Sequence, residues 1–253
     1  MTKSLPDNPW KCSSGIGKYW LMAMLLILAL LLPAFMWSPG VPEDDGLLRL
    51  WWGLSLSASK YGLAGVALGF SLMLGLPVRR LFLLLLPILL IIGLGAWSNE
   101  HLIKPAVAQP RPDIEFLASD VAGPVLPEGS GVFYELPDKA SRSQRLEAAW
   151  KKSPLSLPPL LRAHWTEETG FSFPSGHAFA ATALAAWLSL WIMCGGSRLW
   201  LLAPVWGWML AVCYSRIALG VHRPEDILAG ALEGLLLVMF TGGLLFFRVQ
   251  RRV

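Results

Sequence analysis

The chain has 253 residues, 55% of them hydrophobic, with a formal charge of +4 and a sequence pI near 9.1. The mean hydropathy of +0.53 is concentrated in long uncharged runs, more than a soluble domain needs, and basic residues sit at the ends of those runs. No basic cluster is interleaved with aromatics, which argues against a nucleic-acid partner, and Cys12, Cys194 and Cys213 show neither a CxxC nor a Cys/His spacing for zinc.

The first apolar run, residues 19–37, predicts a spanning helix kinked at Pro33. It is long and no A-x-A site follows it, which disfavours a cleavable signal peptide. An acidic turn with Glu43, Asp44 and Asp45 comes next. Residues 47–59 are apolar but short and carry Arg49, Trp51 and Trp52, the pattern of a segment lying along a membrane surface. The second span is read at 61–76, where Gly62, Gly65 and Gly69 would permit close helix packing, and the third at 81–97. Residues 99–172 are polar and proline-bearing, with one short helix expected at 140–152. Phe133, Tyr134 and Trp150 mark them as a folded insert and not a linker. Spans four, five and six are read at 175–193, 199–214 and 227–247.

The predicted fold is therefore all-α: an integral membrane protein of six transmembrane helices, with a mainly helical insert between spans three and four. It divides at 1–98, 99–172 and 173–253. Six spans put both termini on one side, with Lys3, Lys11, Lys18, Arg79, Arg80, Arg198, Arg248, Arg251 and Arg252. The positive-inside rule makes that side cytoplasmic. Trp20, Trp37, Trp97 and Trp200 fall near span ends, as an aromatic belt would.

Three polar clusters then fall on the opposite face. The first holds Lys104 and Arg111, a point charge and a planar fork, with Pro110 and Pro112 forcing Arg111 toward an extended backbone. The second is Pro174-Ser175-Gly176-His177, where a helix start offers free amides and Gly176 lets an anion approach the backbone. The third runs from Arg216 to His222 and Asp226, with Pro224 as a first helical residue and Asp226 able to reach back to the His222 ring. Singly, each cluster also fits an ordinary structural role: snorkelling cations, a capping serine, a first-turn acid. Jointly they make a phosphoryl-transfer set, with cations for the equatorial oxygens and two histidines for attack and protonation. No carboxylate cluster suits magnesium, so neither metal nor cofactor is expected; Asp113, Glu115 and Asp120 read as solvated loop charges.

Lys104-x6-Arg111-Pro112, Pro174-Ser175-Gly176-His177 and Ser215-Arg216-x3-Gly220-x-His222-x3-Asp226 together resemble the three-part signature of the type 2 phosphatidic acid phosphatase superfamily. Val132-Phe133-Tyr134 and residues 161–171, with His164 and Glu168, resemble the phosphatidylglycerophosphatase B group of its bacterial members. The resemblance implies His222 as nucleophile, Asp226 as its support and His177 as the acid. It implies Lys104, Arg111, Ser175, Gly176 and Arg216 as phosphate ligands. It also implies a metal-independent lipid phosphatase in a bacterial inner membrane with a periplasmic site, acting on membrane lipid phosphates. Those are phosphatidylglycerophosphate, phosphatidic acid, diacylglycerol pyrophosphate or undecaprenyl pyrophosphate. His164 and Glu168 are read as packing within the insert. A vanadate haloperoxidase-like enzyme and a non-catalytic lipid-binding or lipid-moving protein are the competing readings; the spans oppose the first, and His177, His222 and Asp226 oppose the second.

Overall fold

The computed structural model describes residues 16–37, 44–123, 125–195 and 198–250. Lys3, Lys11, Cys12, Glu43, Arg251 and Arg252 lie outside them. Among the described residues every regular element is helical. α1 (Ile16–Leu31) passes into a 3-10 turn, Leu32–Met36, where Pro33 lacks the N–H that a further α turn would use. α2 (Asp45–Ser57) opens where the Asp44 carboxylate accepts from the Leu47 amide. α3 (Lys60–Met73) and α4 (Val78–Ser98) follow, and α4 continues through a π turn, Asn99–Ile103, into α5 (Lys104–Val107). The insert holds α6 (Pro112–Leu117), α7 (Gly129–Glu135), α8 (Lys139–Trp150) and α9 (Pro159–Glu167). α10 (Gly176–Gly195), α11 (Leu202–Ala218) and α12 (Pro224–Gln250) complete the chain.

The helix expected at 140–152 is α8, started one residue earlier because Asp138 accepts from the Ser141 amide at 2.8 Å. The neighbouring α6, α7 and α9 span 6, 7 and 9 residues, too short to show a helical period in sequence.

α10 is the axis of the bundle, buried continuously over 178–190. α12 lies against it backbone to backbone. A Cβ at Gly230 would come within 2.3 Å of the Ser175 carbonyl oxygen, and one at Gly234 within 2.4 Å of the Phe179 carbonyl oxygen. Only glycine permits that approach. Of the glycines expected to mediate packing in α3, Gly62 does so, against the end of α2, while Gly65 and Gly69 face open space.

Among the described residues, four helical stretches are long and apolar enough to cross a membrane: Gly17–Met36, Arg80–Val107, Gly176–Met193 and Leu199–Ala218. Met22, Leu83, Leu90 and Leu94 point outward from the first two, as lipid contact requires. α3 has 14 residues, fewer than the ~20 that fit a bilayer core. Trp97 and Trp200 are exposed as a belt would have them, but Trp20 is 6% exposed and Trp37 packs on Trp51 and Tyr214 inside the protein. Cys213 is a buried packing residue beside Met209.

The insert has its own core, built on Ile114, Leu117, Leu126, Phe133, Leu146 and Leu161. Leu48 of α2 belongs to it, with Trp51 and Trp52 packed alongside. α2 is therefore wedged between bundle and insert. Of the large apolar residues in the surface-lying segment expected from its composition, Leu47, Leu50 and Leu56 face outward, while Leu48 is buried and Trp51 and Trp52 are half-buried. The shortness of α2 concealed that its other stripe was buried on both sides.

Candidate active site

Close packing of α10 on α12 joins the second and third clusters. The Ser175 amide donates to the Asp226 carbonyl at 2.9 Å, so the two helix starts meet directly. α12 begins at Pro224, which places Asp226 in its first turn. From there Asp226 Oδ2 accepts from the Arg223 amide at 2.9 Å and lies 3.3 Å from His222 Nδ1. With Nδ1–H committed to the carboxylate, the lone pair of a neutral His222 is on Nε2. Burial, reinforced by Arg111, Arg216 and Lys104, holds His222 well below the usual imidazole range and keeps it neutral near pH 7.

The second cluster differs in detail from expectation. α10 starts at Gly176, one residue later than the span expected from 175, and the Ser175 hydroxyl accepts from the Ala178 amide at 3.4 Å. Ser175 is fully buried and does not line the cavity, whereas Gly176 and His177 do.

The first cluster is fixed by its prolines. Arg111 is extended, φ −76° and ψ 149°, and turns its side chain into the protein. Its guanidinium donates to the Gly170 carbonyl at 2.9 Å and the Val221 carbonyl at 3.3 Å, and pairs with Glu168 Oε2 at 2.8 Å. One side chain thus ties the first cluster to the insert and to the third cluster. Lys104 is 6% exposed and pairs with Glu100 at 3.2 Å.

Arg216 is fully buried at the end of α11. It pairs with Glu168 Oε1 at 2.9 Å, donates to the Ser55 hydroxyl, and stands 3.4 Å from His164 Nε2. Glu168 therefore bridges two arginines with its two oxygens, a bidentate geometry that a phosphate can also satisfy. The arginines hold Glu168 well below the ordinary carboxylate value against the opposing effect of burial. His164, pushed down to about 3 by burial and then by Arg216, is a neutral acceptor for that guanidinium. His164 and Glu168 do not pack solely within the insert; they reach across to α11. Their spacing of four, on one helical face, was the available signal. Ser55 carried none.

Two further expectations change. Asp113 is no solvated loop charge: it is 1% exposed and pushed up to about 7, chiefly by burial. Glu115 and Asp120 are exposed, and Glu115 pairs with Arg223. Arg223 also donates to the Pro110 carbonyl at 2.9 Å, a second tie between the first and third clusters. Glu233 accepts from Asn99 at 2.9 Å, so this carboxylate inside α12 has a polar partner across the bundle.

Lys104, Arg111, Gly176, His177 and His222 share one cavity of about 440 Å³ with Glu168. Its other wall is apolar, made by Leu63 of α3 and Leu89, Ile92 and Ala96 of α4. The cavity is thus cationic at one end and hydrocarbon-like at the other.

The chain is similar to known proteins of one family. The model of the PAP2 superfamily matches residues 81–249. Phosphatidylglycerophosphatase B of Escherichia coli (strain K12) is 30% identical over 218 residues, covering 83% of this chain and 81% of that protein. Undecaprenyl-diphosphatase of Sulfolobus acidocaldarius is 39% identical over 72 residues, 26% of this chain and 30% of that one. Among solved structures, a transmembrane PAP2 type phosphatidylglycerolphosphate phosphatase from Bacillus subtilis aligns over 91% of this chain and 94% of its own, with a TM-score of 0.50 and 16% identity.

Proposed function

Because the chain belongs to the PAP2 superfamily, we propose that it is a metal-independent lipid phosphate phosphatase working through a phosphohistidine on His222. Phosphatidylglycerophosphate is its first substrate, with phosphatidic acid, diacylglycerol pyrophosphate and undecaprenyl pyrophosphate as further ones. The observation that carries this reading is the two-ended cavity: histidines and cations at one end, an apolar wall between α3 and α4 at the other. A lipid phosphate has the same two ends.

Lys104, Arg111, Arg216 and the amides at Gly176 hold the reacting phosphate and neutralise its equatorial oxygens, with Ser175 fixing the helix start. Glu168 yields its place on the two arginines to that phosphate. His222 Nε2 attacks phosphorus, and the phosphorus–oxygen bond to the lipid breaks. His177 gives the departing oxygen its proton. Asp226 stabilises the His222 ring as positive charge develops. A water then gives its proton to His177, attacks the phosphohistidine and releases inorganic phosphate.

The protein spans the bacterial inner membrane six times, with cytoplasmic termini and a periplasmic site under the insert. Lipid enters sideways past Leu63 and Leu89, its tails remaining in the bilayer. The test is phosphate release by the purified protein from these lipids in detergent. Release from long-chain lipid, with a soluble short-chain analogue turned over less efficiently, is expected. Absence of release from every lipid phosphate would sink the reading, and equal turnover of the short analogue would remove lateral entry.

A further inference from the structure

A second carboxylate in the cavity also bridges two cations. Glu100, in the π turn that ends α4, pairs through Oε2 with Lys104 at 3.2 Å and through Oε1 with Lys139 at 2.6 Å. Lys139 comes from the insert, as the first residue of α8. Its ammonium lies over Gly170, where a Cβ would stand 2.7 Å from Lys139 Cε and 3.2 Å from Nζ. A side chain at 170 would displace it. The carbonyl of that same glycine holds Arg111. One residue therefore sets an arginine of the first cation pair and a lysine of the second.

The order along the cavity is informative. Leu89, Ile92, Ala96 and Glu100 follow one face of α4 and its π turn, and all line the cavity. Glu100 and the two lysines it holds thus stand one turn beyond the apolar wall, in the cavity that Arg111 and His222 also line. A lipid threaded through this cavity with its reacting phosphate on Arg111 must pass its linker beside Lys104 and Lys139. Cleavage at His222 gives Lys139 nothing to do. The pair it makes with Glu100 is partly exposed, with side chains 49% and 34% accessible, so the two can part at little cost.

Resting on the lipid phosphatase reading, we propose that Lys139, beside the Lys104 that grips the reacting phosphate, forms a subsite for a second phosphate of the lipid, one that is not hydrolysed. That phosphate replaces Glu100 as the partner of Lys139. No bond is made or broken there. Two kinds of lipid carry such a group: diphosphates, with the second phosphorus directly bridged, and phosphoglycerol phosphates, with a phosphodiester one glycerol away. Phosphatidic acid, with a single phosphate, leaves the subsite to its glycerol ester.

The experiment compares kcat/KM of the full chain and its Lys139→Met variant on farnesyl diphosphate, phosphatidylglycerophosphate and phosphatidic acid. We expect the preference over phosphatidic acid to fall about tenfold for at least one two-phosphate lipid, mainly through KM, and to return in Lys139→Arg. The lipid affected identifies which spacing the subsite fits. If both preferences stay within about twofold of the parent's, the subsite is wrong. Failure of the lipid phosphatase reading looks different: the parent protein itself releases no phosphate from any of the three.

Discussion

In the bundle, α10 and α12 meet backbone to backbone; around the site, the insert is joined to the bundle through long polar and aromatic side chains. Gly230 and Gly234 bring α12 onto α10 with no side chain between them. Around the insert, the contacts are Arg111 to Glu168, Arg142 over the Tyr134 and Phe171 rings, and Trp165 Nε1 to the Leu219 carbonyl at 2.8 Å. The difference teaches where precision comes from. Backbone packing fixes His177, His222 and Asp226 relative to one another with little freedom to adjust. The insert holds Glu168 and Lys139 against the same cavity, and His164 against Arg216, through groups that can exchange partners.

The largest effect should come from breaking the backbone contact. Gly230→Leu pushes a side chain into the Ser175 carbonyl and separates the two helix starts. Overpacking of about 3 kcal/mol is expected, and with it a fall of about 10 °C in Tm and loss of activity. Thermal unfolding in detergent checks it; an unchanged Tm would mean the α10–α12 contact is not the rigid one.

A smaller and more specific effect is expected at the junction. Glu168→Gln leaves Arg111 and Arg216 buried side by side without their shared carboxylate. Stability in phosphate-free buffer should drop by about 2 kcal/mol, since Gln keeps one oxygen acceptor for the arginines. Added inorganic phosphate should restore more Tm in the variant than in the parent, because the ion no longer competes with Glu168. Equal phosphate-induced shifts would show that Glu168 and phosphate do not share a position.

How much of this was legible in the sequence follows the same division. The bundle's hydropathy, the Pro224 helix start and the spacing of His222 to Asp226 are local, and each is legible in the sequence. Arg111 was expected to be extended between its prolines, and it is. The roles of Ser55, Glu168 and Lys139 depend on contacts with Arg216 and Glu100 that bridge 161, 48 and 39 positions of chain. No periodicity reports such pairs. Asp113 departs from the solvated charge its sequence suggests because a short helix such as α6 gives no pattern from which its buried side can be told.

Asp113 supplies the smallest expected effect, and its sign is defined. Its value is raised from about 3.8 to about 7, so the folded state keeps a proton that the unfolded chain has lost. The stability this contributes is complete below pH 3.8 and is lost as pH rises through 7. Asp113→Asn, neutral at every pH, should therefore gain on the parent between pH 5 and pH 8, by a few degrees in Tm. A gap that narrows over that range would contradict the burial of Asp113 as its dominant influence.

The central claim is that bundle and insert build one site in which His222 attacks phosphorus. Rapid acid-free quenching during turnover of radiolabelled phosphatidylglycerophosphate tests it most directly. The account predicts a base-stable, acid-labile phosphate on His222, absent in His222→Ala together with about a thousandfold or greater loss of turnover. Label on another residue, or turnover that survives His222→Ala, would contradict it.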